Sequence, residues 1–288
     1  MVELCHGSDR QQAFFGGVKP RVRQKSCQNS SAAKGREGRG TDYVESLDRG
    51  LRLLQMFAMS SEPMTLSDLA RSAELPRATA RRMLFTLERG GYVASDGKLF
   101  TLTPHVLTLA ASYLRSSQIA TVLQPVLDRV ATEAREISSL AVLDRHEVVF
   151  IARSSPTRVF SAGIDIGYRL PAFCTSVGRV MLGQFGDGEL AVMIPAMPRE
   201  AMTPQTVTDP KLLRAAIISD REQGYSLVDR EAEPHFRSIS VPVRRYDNVI
   251  VGAINIGAHV DRVSTDEMID RFLPLLREGA YSVRSQLL

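Results

Sequence analysis

The chain contains no tryptophan and only three cysteines among its 288 residues. Cys5, Cys27 and Cys174 lie far apart, with neither metal-ligand spacing nor an even number for pairing, which favours a reducing compartment. No apolar run approaches the ~18 residues that a membrane helix needs. The N-terminus also lacks the apolar segment and small-residue cleavage site of a signal peptide. We therefore expect a cytoplasmic protein with no membrane contact.

Catalytic and cofactor motifs are also missing. The sequence has no nucleophile elbow, no HExxH, no GxxxxGK[ST] and no pair of carboxylates beside a histidine. His146 and His259 lie close to Asp144 and Asp261 in sequence, but such neighbours are usually solvated turn residues. We therefore expect a protein that is not an enzyme and that binds no cofactor and no metal ion.

Excess positive charge is confined to one end of the chain. The formal net charge is +4, yet residues 1–41 hold eight Lys/Arg against three Asp/Glu, and the remainder holds 28 against 29. This tail has no sustained periodicity, so we expect it to be disordered, either dispensable or in non-specific contact with phosphates. Net charge therefore gives no support for DNA binding by the folded part, and that argument has to be local.

Residues 42–103 contain, in order, the parts of a winged helix-turn-helix. Apolar residues at helical spacing predict a first helix over 46–58. Thr65 or Ser67 can cap a second helix, and a short break separates it from a third helix. Pro76 lies where the first turn of that third helix tolerates proline. The break between two short helices predicts a helix-turn-helix.

The helix-turn-helix, over 65–85, is followed by a predicted wing over 92–102. Two glycines end the third helix. Strands over 92–94 and 99–102 then form a hairpin around an Asp96–Gly97 turn. In domains of this kind the last helix of the pair enters the DNA major groove. The sequence therefore predicts a DNA-binding domain.

The third helix carries most of the candidate DNA contacts. Arg77, Arg81 and Arg82 fall off its apolar face, where a guanidinium can contact guanine or a phosphate. Lys98 at the wing tip is placed to meet the backbone or the minor groove. A basic helix alone is more often a solvated face, but two helices and a wing in this order favour double-stranded operator DNA. The candidate DNA-binding residues are Thr65, Ser67, Arg77, Ala78, Thr79, Arg81, Arg82 and Lys98.

Residues 104–117 predict a linker helix that is apolar nearly all round. Such a helix needs a partner, which is either another subunit or another part of the same chain. One recognition helix covers only a few base pairs, so we expect a homodimer or homotetramer that reads half-sites about 34 Å apart or a multiple of it.

Residues 118–288 predict an α+β domain in which an antiparallel sheet is flanked by helices. A helix over 119–135 comes first. Strands are expected near 139–143, 148–152, 159–162, 226–228, 238–243 and 249–256. Helices are expected near 176–185, 209–222 and 264–286.

Several polar residues of this domain are candidates for a small-molecule site. Asn255 lies in an otherwise apolar strand, so its amide must find a partner in a ligand or in the backbone. Residues 175–178 open a predicted helix with small residues whose free N–H groups suit a carboxylate, although Ser176 can equally be a simple cap. Cys174 is more typical of a small buried residue than of a reactive one.

Arginines provide a second set of candidates. Arg153 closes an apolar strand and Arg169 precedes another predicted buried segment. Either can pair with an effector carboxylate or form an ion pair with Asp165 or Asp229, and Arg237 has the same alternatives.

Three segments resemble the isocitrate-lyase-regulator (IclR) family of bacterial transcription factors. They are residues 43–103, PAFCTSVGRVML at 171–182 and VDREAEPHFRSISVPV at 228–243. LPRATARRML at 75–84, FIARS at 150–154 and LPAFCTSVGR at 170–179 are most similar to regulators of protocatechuate and 4-hydroxybenzoate pathways. The resemblance implies a winged helix-turn-helix joined by a linker helix to a GAF-like α/β effector domain. It also implies a small carboxylate effector, with an aromatic acid such as protocatechuate or 4-hydroxybenzoate suspected.

The resemblance further implies which residues line the effector pocket. The family's contacts fall on Ser176, Val177, the neighbourhood of Asp229, Ser238, Asn255 and Gly257. The family often has Cys at position 238 and Ser at positions 255 and 257, so the acid bound here can differ. Together with the residues argued above, the candidate effector set is Arg153, Arg169, Cys174, Thr175, Ser176, Val177, Asp229, Ser238, Asn255 and Gly257.

We consider two ways in which effector binding can regulate transcription. The effector changes operator affinity, or it changes contact with RNA polymerase. The alternative function is a DNA-binding protein whose C-terminal domain only oligomerises and takes no effector.

Overall fold

The structure forms two compact units. The computed structural model describes residues 43–60, 62–116, 118–156 and 165–287. The first unit ends at Thr103 and the second begins at Pro104, so the predicted linker helix belongs to the second unit. The predicted tail over 1–41 and the predicted strand over 159–162 lie outside the described residues. None of the helices in the described ranges is long and apolar enough to cross a membrane.

The first unit is a three-helix domain with a small antiparallel sheet. Its helices are α1 (Glu45–Met56), α2 (Leu66–Ser72) and α3 (Arg77–Arg89). Its strands are β1 (Met64–Thr65), β2 (Val93–Ser95) and β3 (Leu99–Leu102), in the order β1-β3-β2. Leu53, Leu69 and Leu84 come from the three different helices and meet in one buried core. Apolar residues at helical spacing thus bring the helices together.

Two details of this unit differ from the prediction. The two-residue strand β1 was not expected, because two residues carry no periodicity to detect. Pro76 lies just before α3 rather than in its first turn, since its ψ of 137° is extended and the helix begins at Arg77. Thr65 is the cap of α2: its hydroxyl accepts a hydrogen bond from the Asp68 amide.

The second unit is a six-stranded antiparallel sheet covered by helices on both faces, as the predicted α+β class requires. Its helices are α4 (Leu107–Ser116), α5 (Gln118–Ala134), α6 (Ser176–Leu182), α7 (Asp187–Ala196), α8 (Pro210–Gln223), α9 (Thr265–Glu267) and α10 (Leu273–Ser282). Its strands are β4 (Ile137–Asp144), β5 (Glu147–Ser154), β6 (Arg169–Pro171), β7 (Ser226–Asp229), β8 (Phe236–Arg244) and β9 (Ile250–His259). The strand order is β6-β5-β4-β9-β8-β7.

Two apolar clusters lie on opposite faces of this sheet. On one face Leu140, Ile254 and Ile256 pack with residues of α5 and α10. On the other face Ala253 packs with Phe173 and with residues of α6, α7 and α8. Because both faces are buried, a polar side chain that projects from a central strand has no access to bulk water unless the helices leave a gap.

Three elements of the second unit were not predicted correctly. The expected single helix over 264–286 is interrupted by a five-residue π-helical turn, Met268–Phe272, just before α10. Pro274 explains the interruption, because it has no N–H to donate to the preceding turn. Strand β6 and helix α7 were missed; the first is very short, and the apolar residues of the second lie all round it.

Candidate functional site

Helices α2 and α3 are joined by a tight turn. Glu74 adopts a left-handed conformation with φ of 54°, and the Leu75 amide donates to the Ala70 carbonyl at 2.9 Å. This closes the α2 C-terminus and reverses the chain in four residues. The turn therefore sets the two helices at the short spacing that a helix-turn-helix needs.

Helix α3 presents a basic face to solvent. Ala80 and Leu84 are buried, whereas Arg77, Arg81 and Arg82 are exposed. Within the described chain, none of these three guanidinium groups forms an ion pair. Ala78 is also exposed, and Thr79 is half-buried beside them. The face is thus free to meet an external anion, as a recognition helix must.

The hairpin of β2 and β3 places Lys98 at its tip. The Asp96 carboxylate accepts from the amides of Lys98 and Leu99 at 2.8 and 2.7 Å, and these bonds lower the pKa of Asp96. Gly97 supplies the positive φ, 96°, that the turn requires. The exposed Lys98 is therefore held on a rigid hairpin. Thr65, by contrast, uses its hydroxyl in capping α2, and Ser67 is half-buried in the same turn.

A row of polar side chains crosses the large sheet at mid-height. Cross-strand pairing joins Arg153 to Ser139, Ser139 to Asn255, Asn255 to Ser240, and Ser240 to Ser226. Directly paired residues project from the same face, so the polar row runs from β5 to β7 on the face covered by α6 and α8. Adjacent members lie on neighbouring strands, which are about 4.8 Å apart in the hydrogen-bonding direction. We call this set the polar row.

Two members of the polar row carry unsatisfied atoms. Arg153 Nε and Asn255 Oδ1 are buried and have no hydrogen-bond partner among the described residues. Burial lowers the pKa of Arg153, and the charge of Asp165 only partly opposes that shift. An unpaired guanidinium donor and an unpaired amide acceptor on the same face cost free energy unless something binds them.

Helix α6 covers the polar row where it crosses β8. Ser176 Oγ lies 2.7 Å from Ser238 Oγ and 2.5 Å from Ser240 Oγ. Thr175, not Ser176, caps the helix, because its hydroxyl accepts from the Gly178 amide. The simple capping role considered for Ser176 is therefore wrong, and its hydroxyl instead joins the helix to the sheet.

Helix α6 packs closely against the backbone of Ala172 because residue 178 is glycine. A Cβ atom at this position would lie 2.1 Å from the Ala172 carbonyl oxygen. Behind the helix, the Arg179 guanidinium donates to Phe173 O and to a carboxylate oxygen of Glu231, at 3.0 and 2.7 Å. This buried ion pair fixes the segment after β7 against α6.

Several predicted effector residues are not brought to the polar row. Asp229 and Arg237 pair with each other on the opposite face, at 2.9 Å. Arg169 is an exposed partner of Asp144 and Glu147, rather than of the aspartates expected from the sequence.

Two buried residues at or just before the start of α6, Cys174 and Val177, belong to the apolar cluster on the polar-row face. The buried Cys174 Sγ lies 3.6 Å from the Sδ of Met202, which is exposed, and burial raises the pKa of the Cys174 thiol to about 12. Gly257 does lie on the polar-row face, one pleat from Asn255, and there it is covered by the Phe236 ring.

Four residues of this face were missed in the sequence. They are Ser139, Ser226, Ser240 and Phe236. The alternation of serine with Ile239 and Val241 signals that Ser238 and Ser240 share a face. For Ser139 no local signal exists, because β4 is buried on both faces and has serines at two successive positions.

Comparisons with known proteins match both units of the chain. The IclR helix-turn-helix domain matches residues 46–97, and the bacterial transcriptional regulator IclR C-terminal domain matches residues 111–285. The Pca regulon regulatory protein of Pseudomonas putida is 38% identical over 85% of each chain. The p-hydroxybenzoate hydroxylase transcriptional activator of Acinetobacter baylyi is 34% identical, over 86% of this chain and 94% of that protein.

A solved structure gives the same result. An IclR homolog from Microbacterium hydrocarbonoxydans, in complex with 4-hydroxybenzoate, is 28% identical with a TM-score of 0.71. The match covers 84% of this chain and 98% of that one. These relatives are regulators and not enzymes, as the missing catalytic motifs predict. The chain belongs to the IclR family of bacterial transcriptional regulators, with a winged helix-turn-helix for DNA and a separate C-terminal α/β domain.

Proposed function

We propose that this regulator senses a small aromatic acid at the polar row and reads its operator with α3 and the wing. The observation that carries the effector site is the pair of unsatisfied atoms, Arg153 Nε and Asn255 Oδ1. A hydroxylated benzoate offers what both atoms lack. Its carboxylate accepts from the guanidinium, and its hydroxyl donates to the amide oxygen.

The surroundings of these two atoms suit an aromatic ring between the polar ends. Residues of the apolar cluster on the same face include Phe150 and Val177, and the Phe236 ring lies over Gly257. Such a site resembles ordinary ligand sites, which are mostly apolar with a few placed polar groups. We accordingly assign the effector site to Arg153, Ser139, Asn255, Ser240, Ser238 and Ser176, with Thr175 and Gly257 supporting it.

The relatives support the chemical class. One carries p-hydroxybenzoate in its name and one was solved with 4-hydroxybenzoate bound. We infer that 4-hydroxybenzoate, protocatechuate or a close analogue is the effector. Asn255 has an amide where the family often has a hydroxyl, so the preferred ring substituents can differ from those of the relatives.

Operator binding is assigned to the unit that ends at Thr103, and effector binding to the unit that begins at Pro104. Arg77, Arg81 and Lys98 supply the contacts to bases and phosphates, with Thr65, Ser67, Ala78, Thr79 and Arg82 around them. Because DNA and effector bind the same molecule, each must change the affinity of the other by the same factor if they are coupled. A change in contact with RNA polymerase is the other route. Either role places the protein in the cytoplasm with its DNA.

We further propose that α4 is a subunit interface. Leu107 and Leu109 are 62% and 58% exposed, and Tyr113 is exposed beside them. Three large apolar side chains on one helix are unusual at a free surface. A homodimer, or a homotetramer built from two of them, would cover them and supply the second recognition helix.

The test is a titration of the full-length protein with benzoate, 4-hydroxybenzoate, protocatechuate and cyclohexanecarboxylate, followed by thermal unfolding. A bound effector raises stability by about 2.7 kcal/mol at a concentration of 100 Kd. We expect the hydroxylated aromatic acids to raise the Tm most. Asn255→Leu should remove the advantage of 4-hydroxybenzoate over benzoate.

If no acid shifts the Tm at millimolar concentration while the protein still retards its operator, the C-terminal unit only oligomerises. Equal shifts with all four acids in the wild type and in Asn255→Leu would place the effector elsewhere. Operator retardation with and without the best acid then separates a change of DNA affinity from a change of polymerase contact.

A further inference from the structure

An open cleft lies where the C-terminal half of β8 meets α10. Its volume is about 180 Å³. Val241 and Pro242 of β8 line it, and three guanidinium groups, of Arg244, Arg277 and Arg284, lie around it. We call it the arginine cleft. The arginine cleft and the polar row share strand β8 but no lining residue.

The three arginines are held by neutral acceptors only. Arg244 donates to the Asn248 carbonyl at 3.0 Å, and Arg284 donates to the Asn248 side-chain oxygen at 3.4 Å. Arg277 donates to the Gln223 carbonyl at 3.1 Å and lies over the Tyr225 ring. Among the described residues no carboxylate lines the cleft or pairs with any of the three.

The three positive charges have no counter-charge among the described residues. Arg244 and Arg284 converge on one residue, so two like charges are held close together. Burial, and next the charge of Arg284, lower the pKa of Arg244. The adjacent Arg245 shows the ordinary arrangement, since it is paired with the Asp247 carboxylate and lies outside the cleft. Packed cationic groups without counter-charges are usual where an anion binds.

We propose that the arginine cleft binds a compact oxyanion with two or more negative charges, either a phosphate compound or a polycarboxylate. The planar guanidinium forks match both kinds of oxygen pair, and several charges are needed to offset three cations. The volume fits a small ion rather than an extended polymer. The site is independent of the aromatic-acid site proposed above.

The experiment uses full-length protein and isothermal calorimetry with citrate, pyrophosphate and benzoate at constant ionic strength. Citrate represents the polycarboxylates and pyrophosphate the phosphates, so the tighter of the two identifies the source. Any binding of benzoate should be at the polar row, so it should be unchanged in Arg284→Gln and Arg244→Gln. We expect saturable binding of citrate or pyrophosphate in the cleft. Arg284→Gln and Arg244→Gln should each weaken that binding about tenfold or more. Arg245→Gln is the matched control and should bind as the wild type does.

Stability without ligand gives a second readout. Removing one of two repelling cations should leave the anion-free Tm of Arg284→Gln unchanged or higher, whereas a purely structural arginine would lower it. Binding in Arg284→Gln and Arg244→Gln that is as strong as in the wild type would overturn the proposal, as would no saturable binding of either multivalent anion. If neither anion binds but both variants lose affinity for long duplex DNA, while Arg245→Gln keeps it, the cleft meets a nucleic-acid phosphate and the small-anion proposal fails.

Discussion

Arg153 and Asn255 are the two cross-strand neighbours of Ser139, one on each side, and all three project from the same face of the sheet. Arg153 leaves a buried donor unsatisfied and Asn255 a buried acceptor. The two atoms belong to strands β5 and β9, which are not adjacent, so a molecule has to lie across β4 to reach both. An aromatic acid with a polar group at each end has suitable chemistry and shape.

Arg153→Gln tests the carboxylate contact. A charge-assisted hydrogen bond contributes about 1.5–3 kcal/mol, so 4-hydroxybenzoate should bind roughly 10- to 100-fold more weakly. The free protein should lose little stability, because the guanidinium it gives up has no partner at Nε. Calorimetry measures the affinity. Arg169→Gln is the control, since Arg169 is exposed and paired with Asp144 and Glu147. Unchanged affinity in Arg153→Gln, or equal losses in both variants, would remove Arg153 from the site.

The double variant Arg77→Ala/Arg81→Ala tests the recognition helix. Each base contact contributes about 1–3 kcal/mol, so operator affinity should fall at least about 30-fold while the fold is kept. Loss of phosphate contacts should also reduce the dependence of log Kd on log[salt] by about 0.9 for each contact. Gel retardation at several salt concentrations provides both numbers. Arg89→Ala is the control, because Arg89 lies about 18 Å from Arg77 along the helix axis. Retention of the operator by the double variant at wild-type strength would contradict the assignment.

Ser176→Ala tests the serine contacts between α6 and β8. The change leaves two buried hydroxyls, of Ser238 and Ser240, without their shared partner. The free energy of unfolding should fall by about 1–3 kcal/mol. Urea denaturation measures it. Ser282→Ala, which removes one local bond to the Gly279 carbonyl, should cost less than about 0.5 kcal/mol. Similar losses of unfolding free energy in the two variants would mean that the contact among the three serines stabilises the protein no more than an ordinary local hydrogen bond does.

Gly178→Ala tests the close packing of α6 against the backbone of Ala172. The new methyl group would lie 2.1 Å from a backbone oxygen, so α6 or the turn before it must move. Overpacking of this kind costs about 3 kcal/mol in unfolding free energy. Gly188→Ala is the matched control: it lies in helix α7 with open space around it, and should stabilise by about 0.5–1 kcal/mol. A neutral Gly178→Ala would show that the helix is not held against Ala172.

Cys174 should be unreactive in the folded protein. Burial raises the pKa of its thiol to about 12, so at pH 8 it has about a thousandfold less thiolate than an ordinary cysteine. Replacing Cys5 and Cys27 by serine leaves it as the sole thiol. Alkylation by iodoacetamide at pH 8 should be negligible in buffer and fast in urea. Rapid labelling of the native protein would show that Cys174 is accessible, as an effector-site residue would have to be.

The helix-turn-helix could be predicted from the sequence because each of its signals is local. The cap at Thr65, the turn at Glu74, the arginines at Arg77 and Arg81, and the hairpin at Gly97 all involve residues close in the chain. Five strands of the second unit, β4, β5, β7, β8 and β9, were placed to within three residues for the same reason. The errors fell where a signal was too short, as in β1 and β6, or where Pro274 broke a longer pattern.

The sequence by itself determined that this protein has a winged helix-turn-helix followed by an α+β domain, and the motifs at 171–182 and 228–243 were enough to indicate its family. Only the tertiary structure decided which polar residues meet. Strand pairing brings Arg153, Ser139, Asn255 and Ser240 into one row, and it turns Asp229 and Arg237 to the opposite face. The reason is that side chains alternate between faces, so a site across several strands depends on pairing register. Register is set by contacts between residues far apart in the chain, which no local pattern records.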